Sequence, residues 1–400
     1  MDLNIFVNDA PGQLVDISGS EPLLGHWQHK AFLPDPLPQA MPPLSPSTFL
    51  AVANARAALA ALDSTGRQLP NPTLLRMPTL RREAQSTSAL EGTYAPLPQV
   101  FTADENDPAN QDMVEILNYV HMANAGYAHL AGEWPISVAY LCELQGLLMA
   151  GTPKEPGSGR LRDGQVVIGR RPEAPVGALP VEAARFVPPP PGPVLEHGVG
   201  DLVTWLRTDH TPQIDPVISA AMAHYQFETL HPFHDGNGRL GRFLIVAHLQ
   251  QAGVLTEPTL TVSPWFEARR EQYYNCLLGV STRGDWDTYV KFFADGIRQA
   301  AEGTRSEMVA LSAVQAELKD RLRASSLRAD SAHLLVDLAV ANPTFTVRKI
   351  ESELGVSYAR ANKLAGQLVD LGILDAVDPG AYKRRFYAPE VLKVLVRTQV

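Results

Sequence analysis

The chain has 400 residues, of which 45% are hydrophobic and 19% charged, and its formal net charge at pH 7 is -9. That length is enough for more than one domain with a core of its own. The negative balance argues against a protein that coats nucleic acid over its whole surface.

The N-terminal MDLNIFVNDAPG lacks the basic region and apolar core of a signal peptide. No run reaches the roughly 20 apolar residues of a membrane span. A cytoplasmic chain with no membrane partner is expected. Cys142 and Cys276 lie in apolar, helix-like sequence and read as buried thiols, not a disulfide or metal pair. Residues 1 to about 45 are rich in Pro and Gly with little periodicity, which predicts an arm or short strands packed on something else. SPSTFLAVANARAALAALDS then turns helical, with a Ser/Thr start and apolar spacings of three and four. In MPTLRREAQSTSALEG a second helix is predicted from near Pro78 to Gly92, a good C-terminal cap.

Further helices are predicted around 111–128 and 136–150. GTPKEPGSGRLRDGQVVIGRRP breaks helix and leaves QVVIG, residues 165–169, as a hairpin or exposed extended loop. RFVPPPPGP reads as a polyproline spacer. DPVISAAMAHYQFETLHP opens with Asp215 as N-cap and Pro216 at the first helical position, puts Ile218, Met222 and Tyr225 on one face, and ends at Pro232. Leu240, Phe243, Leu244 and Ala247 start a new helical stripe that runs toward Gly253. HPFHDGNGRLGR, residues 231–242, is therefore a loop between two helices.

Gly236, Gly238 and Gly241 make a GxGxxG pattern. A dinucleotide fingerprint should follow a strand in a βαβ unit, and here a helix precedes it, so that reading is set aside. What remains is a helix N-terminus with glycines before it, where exposed N–H groups and the helix dipole attract anions. Arg239 and Arg242, three apart, share a helix face there and suit an oligophosphate. Asp235 is placed to hold Mg²⁺ as a single carboxylate completed by phosphate oxygens. His231 is a candidate general base. His224, His231 and His234 fit no zinc spacing. Each of these residues alone has a structural reading, the arginines as surface residues included; their occurrence together within one short loop favours phosphate chemistry.

HPFHDGNGRLGR resembles the signature of Fic-domain proteins, HxFx(D/E)GNGRxxR, at every specified position. AHYQFETLHPF, RLRDGQVVIG and RREQYYNCL with GDWDTYVKFF also look like Fic-core sequence, so the likeness covers most of residues 45–300. The resemblance implies a mainly α fold: an N-terminal arm and helical region over 1–110, a Fic core with a short β-hairpin flap over 111–300, and a further module over 305–400. It implies transfer of AMP from ATP to a Ser, Thr or Tyr hydroxyl of a protein target, with release of pyrophosphate. His231 would take the hydroxyl proton, Asp235 would hold Mg²⁺, and Gly236, Asn237 and Gly238 would cradle the anion. Arg239 and Arg242 would hold the β- and γ-phosphates, with Phe233 anchoring the loop. Val166, Val167, Ile168 and Gly169 look like the flap that aims the target. Tyr274, beside Tyr273, falls where the family lines its nucleotide pocket; without the resemblance both could equally be core aromatics.

TSALEG, Thr87–Gly92, matches the family's inhibitory motif (S/T)xxxE(G/N). The likeness implies that Glu91 pairs with Arg242, takes space needed by the γ-phosphate and keeps the enzyme self-inhibited. In some relatives this glutamate is implicated in removing AMP, which keeps that activity as an alternative. From about 305, TVRKIESELGVSYARANKLAGQL has the helix, Gly turn and second helix of a helix-turn-helix, and DAVDPGAYKRRFYAP adds two short strands, as in a winged helix. Arg360, Asn362 and Lys363, with Lys383, Arg384 and Arg385 in the wing, could meet DNA. Glu351, Glu353 and Asp370 are interspersed, so DNA and protein binding stand at parity. An ATP-sensing DNA-binding regulator, self-modification and a homodimer stay open at this stage.

Overall fold

The computed structural model describes residues 1–7, 10–21, 25–68, 76–104, 108–132, 134–327, 329–377 and 384–396. The chain divides into two units: Met1–Arg56, His121–Val254 and Trp265–Arg298 form the first, and Ala57–Val120, Leu255–Pro264 and Gln299–Val400 the second. In chain order, strands β1 (Gly12–Glu21) and β2 (Gly25–Pro34) precede helices α1 (Pro46–Gln68), α2 (Arg76–Leu90), α3 (Leu97–Thr102), α4 (Gln111–Ala131) and α5 (Val138–Met149). Next come β3 (Ile168–Arg170), α6 (Pro180–Ala183), β4 (Ala184–Phe186), α7 (Pro193–Arg207), α8 (Pro216–Leu230) and α9 (Asn237–Gln251). Helices α10 (Ser263–Ala268), α11 (Arg270–Arg283), α12 (Trp286–Ala324) and α13 (Asp330–Ala341) follow. The chain closes with β5 (Phe345–Thr346), α14 (Val347–Leu354), α15 (Tyr358–Asp370), β6 (Asp375–Ala376), β7 (Arg385–Tyr387) and α16 (Pro389–Leu395). Mainly α is thus the fold class, and among the described residues no helix is long and apolar enough to cross a membrane.

The first unit is built around α8 and α9. Helix α8 starts as its sequence predicts, with the Asp215 carboxylate accepting from the Val217 N–H at 2.8 Å and Pro216 in the first turn. Every α8 residue except Glu228 is buried, and α9 is buried from Asn237 to Leu249. Helices buried nearly all round belong in a core, so the loop joining these two is anchored at both ends in buried helix. Helix α7 packs on α8, and the sequence did not announce it, because Gly198 and Gly200 interrupt its apolar spacing. Gly198 is explained by close approach: a Cβ there would lie 2.8 Å from Leu230 Cδ2.

Of the arm or short strands expected at the N-terminus, the structure has strands: β1 and β2 pair antiparallel over their full length, Gly12 opposite Pro34 through Glu21 opposite Gly25. Their period was hidden by Gly and Ser on β1; at the Gly19–Trp27 pair the indole lies over the glycine, where a Cβ would come within 2.3 Å of Trp27 Cζ2. The proline run is no spacer, because Arg185 and Phe186 belong to β4 and Pro188 and Pro189 are buried. The change of composition near 305 falls inside the continuous α12.

In the second unit α2 is buried along most of its length although much of it is polar. Arg81 donates to the Val100 carbonyl at 2.6 Å and to those of Phe101 and Ala103, tying down the end of α3. Arg82 pairs with Glu307 at 3.2 Å, both nearly excluded from water. Helix α2 ends at Leu90, and Gly92 takes φ 94°, as a C-terminal cap should. The last part of the chain has helices α13, α14 and α15 with a small antiparallel sheet of order β5-β7-β6, the ingredients of a winged helix. Gly355, at φ 63°, makes the turn between α14 and α15. Arg384 donates to Asn362 Oδ1 at 2.6 Å and Arg385 to the Thr102 carbonyl, whereas Lys383 lies outside the described residues.

Candidate active site

Residue 231 closes α8 in the left-handed conformation, φ 48° and ψ 61°, the one non-glycine residue with positive φ among those described. A side chain there costs about 1–2 kcal/mol over the right-handed form and persists only where the surroundings demand it. The turn ends α8 and starts the loop that leads to α9. His231 Nδ1 lies 3.4 Å from the Glu228 carbonyl. A carbonyl only accepts, so in this contact Nδ1 would be the donor, which leaves Nε2 as the ring's acceptor in the neutral form.

The loop is braced from within. Asn237 Oδ1 accepts from the Phe233 N–H at 2.9 Å, and Asn237 Nδ2 donates to the Phe233 carbonyl at 2.8 Å. The Asn237 side chain is therefore engaged inside the loop. Phe233 is wholly buried, in keeping with the anchoring role that the resemblance implied. Gly236 caps α9 at φ 82°, and a Cβ there would also strike Leu148 and Met149 at 2.8 and 2.9 Å. Gly236 brings no side-chain cap to the helix end, and N–H groups at the start of a helix attract anions.

Both arginines of the motif are buried, Arg239 at 2% and Arg242 at 1% exposure, which excludes the surface-residue reading. Arg239 Nη2 donates to Asp235 Oδ1 at 3.0 Å, and Lys154, from the turn after α5, pairs with the other carboxylate oxygen. Burial pushes the Asp235 carboxyl up, but the Lys154 hydrogen bond and the two positive charges outweigh it and hold the acid below its ordinary range. Among the described residues no group of three or more His, Cys, Asp and Glu gathers to hold a metal. A cation at Asp235 would draw most of its ligands from phosphate and water, which is how Mg²⁺ is usually held; the lone hard carboxylate fits that use.

Behind the cradle, His224 Nδ1 lies 3.1 Å from the Gly241 carbonyl and Nε2 2.7 Å from the Tyr273 hydroxyl. Nδ1 must donate to that carbonyl, so Nε2 accepts from Tyr273. Burial, helped by the charge of Arg242, pulls the His224 pKa down to about 3, so this ring is a neutral structural link and no metal ligand. Gly241 is needed here, since a Cβ would come within 2.4 Å of Glu228 Oε1. Tyr273 is core; Tyr274 is half-buried with its ring 5.2 Å from that of Tyr273. Cys276 is buried and burial raises its thiol to about 11, while Cys142 is half-buried; both are free.

The flap strand is shorter than QVVIG suggests. Ile168 pairs with Phe186 and Arg170 with Ala184, leaving Val166 and Val167 in the extended segment before β3. Val167 and Ile168 pack on the apolar cluster of Phe32, Phe186 and Val187. Glu91 belongs to the second unit and is exposed in the turn after α2.

Three residues of the site went unnoticed in the sequence. Gln145 donates to the Asp235 carbonyl at 3.1 Å and accepts from the Gly159 N–H at 2.6 Å. Lys154 reaches Asp235, and Arg162 lies buried beside the loop. Lys154 and Arg162 sit in a Gly- and Pro-rich stretch that reads as solvated, and Gln145 in an ordinary helix; nothing local marks them.

Comparison with known proteins agrees with this geometry. Residues 49–128 match the Fic/DOC family N-terminal domain and residues 135–249 the Fic/DOC family domain. The protein adenylyltransferase fic-1 of Caenorhabditis elegans is 34% identical over 137 residues, 34% of this chain and 22% of that protein. The protein adenylyltransferase Fic of Drosophila virilis is 36% identical over 113 residues, 26% of this chain and 21% of that protein. The chain thus matches about a fifth of the length of these relatives. A crystal structure of a Fic family protein from Desulfovibrio desulfuricans shares the fold, with a TM-score of 0.55 at 21% identity over 88% of this chain and 98% of that one.

Proposed function

This chain belongs to the Fic/DOC family, and from that premise we propose that it transfers AMP from ATP to a Ser, Thr or Tyr hydroxyl of a target protein. The observation that carries the reading is the loop of residues 231–242. In it a histidine in a left-handed turn closes α8, and the helix that follows carries two buried arginines in its first two turns. In the proposed reaction the hydroxyl oxygen bonds to the α-phosphorus of ATP while its proton passes to His231 Nε2. The bond from that phosphorus to the oxygen bridging to the β-phosphate breaks, and pyrophosphate leaves.

Positioning and charge stabilisation dominate such chemistry. The N–H groups at the start of α9, with Arg239 and Arg242, would hold the β- and γ-phosphates. Asp235 would hold Mg²⁺, which supplies charge neutralisation to the phosphates when bound. The flap segment Val166–Gly169 would present an extended edge to the target backbone, and Tyr274 would line the nucleotide pocket. Glu91 acts as a brake in this reading, supported by the match of TSALEG to the inhibitory motif.

The test uses α-labelled ATP, Mg²⁺ and cell extract with three proteins: wild type, Glu91→Gly, and Glu91→Gly with His231→Ala. Label on protein with Glu91→Gly alone supports transfer, brake and base together. Equal slow transfer by wild type and Glu91→Gly removes the brake. No label with any of the three, in an extract that supports a known transferase, rejects AMP transfer and points to AMP removal.

A further inference from the structure

Arg162 lies in the turn before β3, its side chain among the largest fully buried ones, at 2% exposure. Among the described residues, its hydrogen-bond partners are all carbonyl oxygens. Nε donates to His231 at 2.8 Å, Nη1 to Gly164 at 3.2 Å, and Nη2 to Leu230 at 3.4 Å and to Pro189. Its own backbone N–H donates to the Pro232 carbonyl at 2.9 Å. Burial lowers its pKa to about 10, which still leaves it charged at neutral pH.

A buried cation without a carboxylate partner calls for a reason, and the position supplies one. The Leu230 and His231 carbonyls sit at the C-terminal end of α8, where the last carbonyls lack intrahelical partners and the dipole is negative. The guanidinium answers both. The same planar fork grips Gly164 at the root of the flap and Pro189 in the segment after β4. Gln165, from the same root, donates to the neighbouring Pro188 carbonyl at 2.9 Å. Asp163 meets His234 of the loop at 2.9 Å, closing the contact from the exposed side.

We infer that Arg162 is a positioning residue that locks the left-handed backbone of His231 and fixes the flap root to it, so that base and target hydroxyl keep one distance. This rests on the transfer reaction proposed above. A rigid fork with donors pointing to three segments is something a lysine ammonium cannot reproduce, although it keeps the charge.

The test compares Arg162→Lys and Arg162→Gln, each in the Glu91→Gly background, by kcat, KM for ATP and the ¹H–¹⁵N signals of the histidine rings. Misplacing a catalytic group by about 1 Å costs about 100-fold. Both variants should therefore lose about 100-fold in kcat, with KM for ATP unchanged and no rescue by lysine. The His231 ring signals should shift while those of His224 stay in place. Full kcat in Arg162→Lys, or a change confined to KM, overturns the inference. If Glu91→Gly itself transfers nothing, the proposed reaction fails, and the histidine signals still judge the clamp: an unmoved His231 in Arg162→Lys overturns it. Should both variants fail to fold, the unaltered protein decides through the Arg162 Nε–H. Slow exchange with solvent supports the clamp, and exchange as fast as that of exposed Arg160 overturns it.

Discussion

Replacing Asn237 by Ala removes the brace on which the loop's shape depends. The amide accepts from the Phe233 N–H at 2.9 Å and donates to its carbonyl at 2.8 Å, with Phe233 at 0% and Asn237 at 2% exposure. Alanine leaves one buried donor and one buried acceptor with no partner from residue 237. Each such loss costs about 1–3 kcal/mol, so the pair predicts about 2–6 kcal/mol, a large share of the ~5–15 kcal/mol that holds a typical fold together. Asn237→Asp is the sharper probe, because it keeps the size and the acceptor but turns a carboxylate oxygen toward the Phe233 carbonyl. Urea titration followed by tryptophan fluorescence gives the loss for both variants from the midpoint and slope, and ATP titration reports on the cradle. Both variants should unfold earlier and bind ATP more weakly. An Asn237→Ala protein within about 0.5 kcal/mol of wild type, the scatter of neutral surface changes, and with unaltered ATP affinity would refute the reasoning.

Two further expectations rest on titratable groups. His224 and His248 are held neutral with pKa values lowered by burial to about 3 and about 4, against about 6.5 in an unfolded chain. Between those limits the unfolded chain binds protons that the folded one does not, so stability is complete above about pH 6.5 and falls with pH. At about 1.4 kcal/mol per pH unit for each ring, the two together should cost about 4 kcal/mol between pH 6.5 and pH 5, read from urea midpoints. A flat profile over that interval would contradict their burial as neutral rings. Lys154 competes with any cation for the Asp235 carboxylate, so Lys154→Met should lower the Mg²⁺ concentration that gives half-maximal transfer, and chelation of the metal should stop transfer. An unchanged Mg²⁺ requirement would show that Lys154 does not guard the carboxylate.

The parts legible in the sequence were those with a local cause. Asp215 and Pro216 announced α8 and Gly92 the end of α2, and the spacing of His231, Asp235, Arg239 and Arg242 marked the candidate site. Elements whose cause lies elsewhere in the chain were not legible. Gly198 reads as a helix breaker until Leu230 is seen against it. Gly19 reads as a weak strand residue until Trp27 covers it. Asn237 looks like a cradle residue by position, yet its side chain is engaged by Phe233. Arg162 belongs to a stretch with every mark of a solvated turn, and three of the four carbonyls that its side chain meets come from segments 27 to 69 residues further on.

The left-handed turn at residue 231 also sets an alphabet. The backbone there accepts Gly freely and His, Asn or Asp with modest strain, and it resists the β-branched residues. Geometry therefore admits only a few letters before chemistry selects among them, and histidine is the only one of these four that offers a neutral base near pH 7. A copy of this chain that drifted out of catalytic use would be expected to carry Asn or Gly at 231 long before Val or Ile. In such a copy the loop would outlast its reaction.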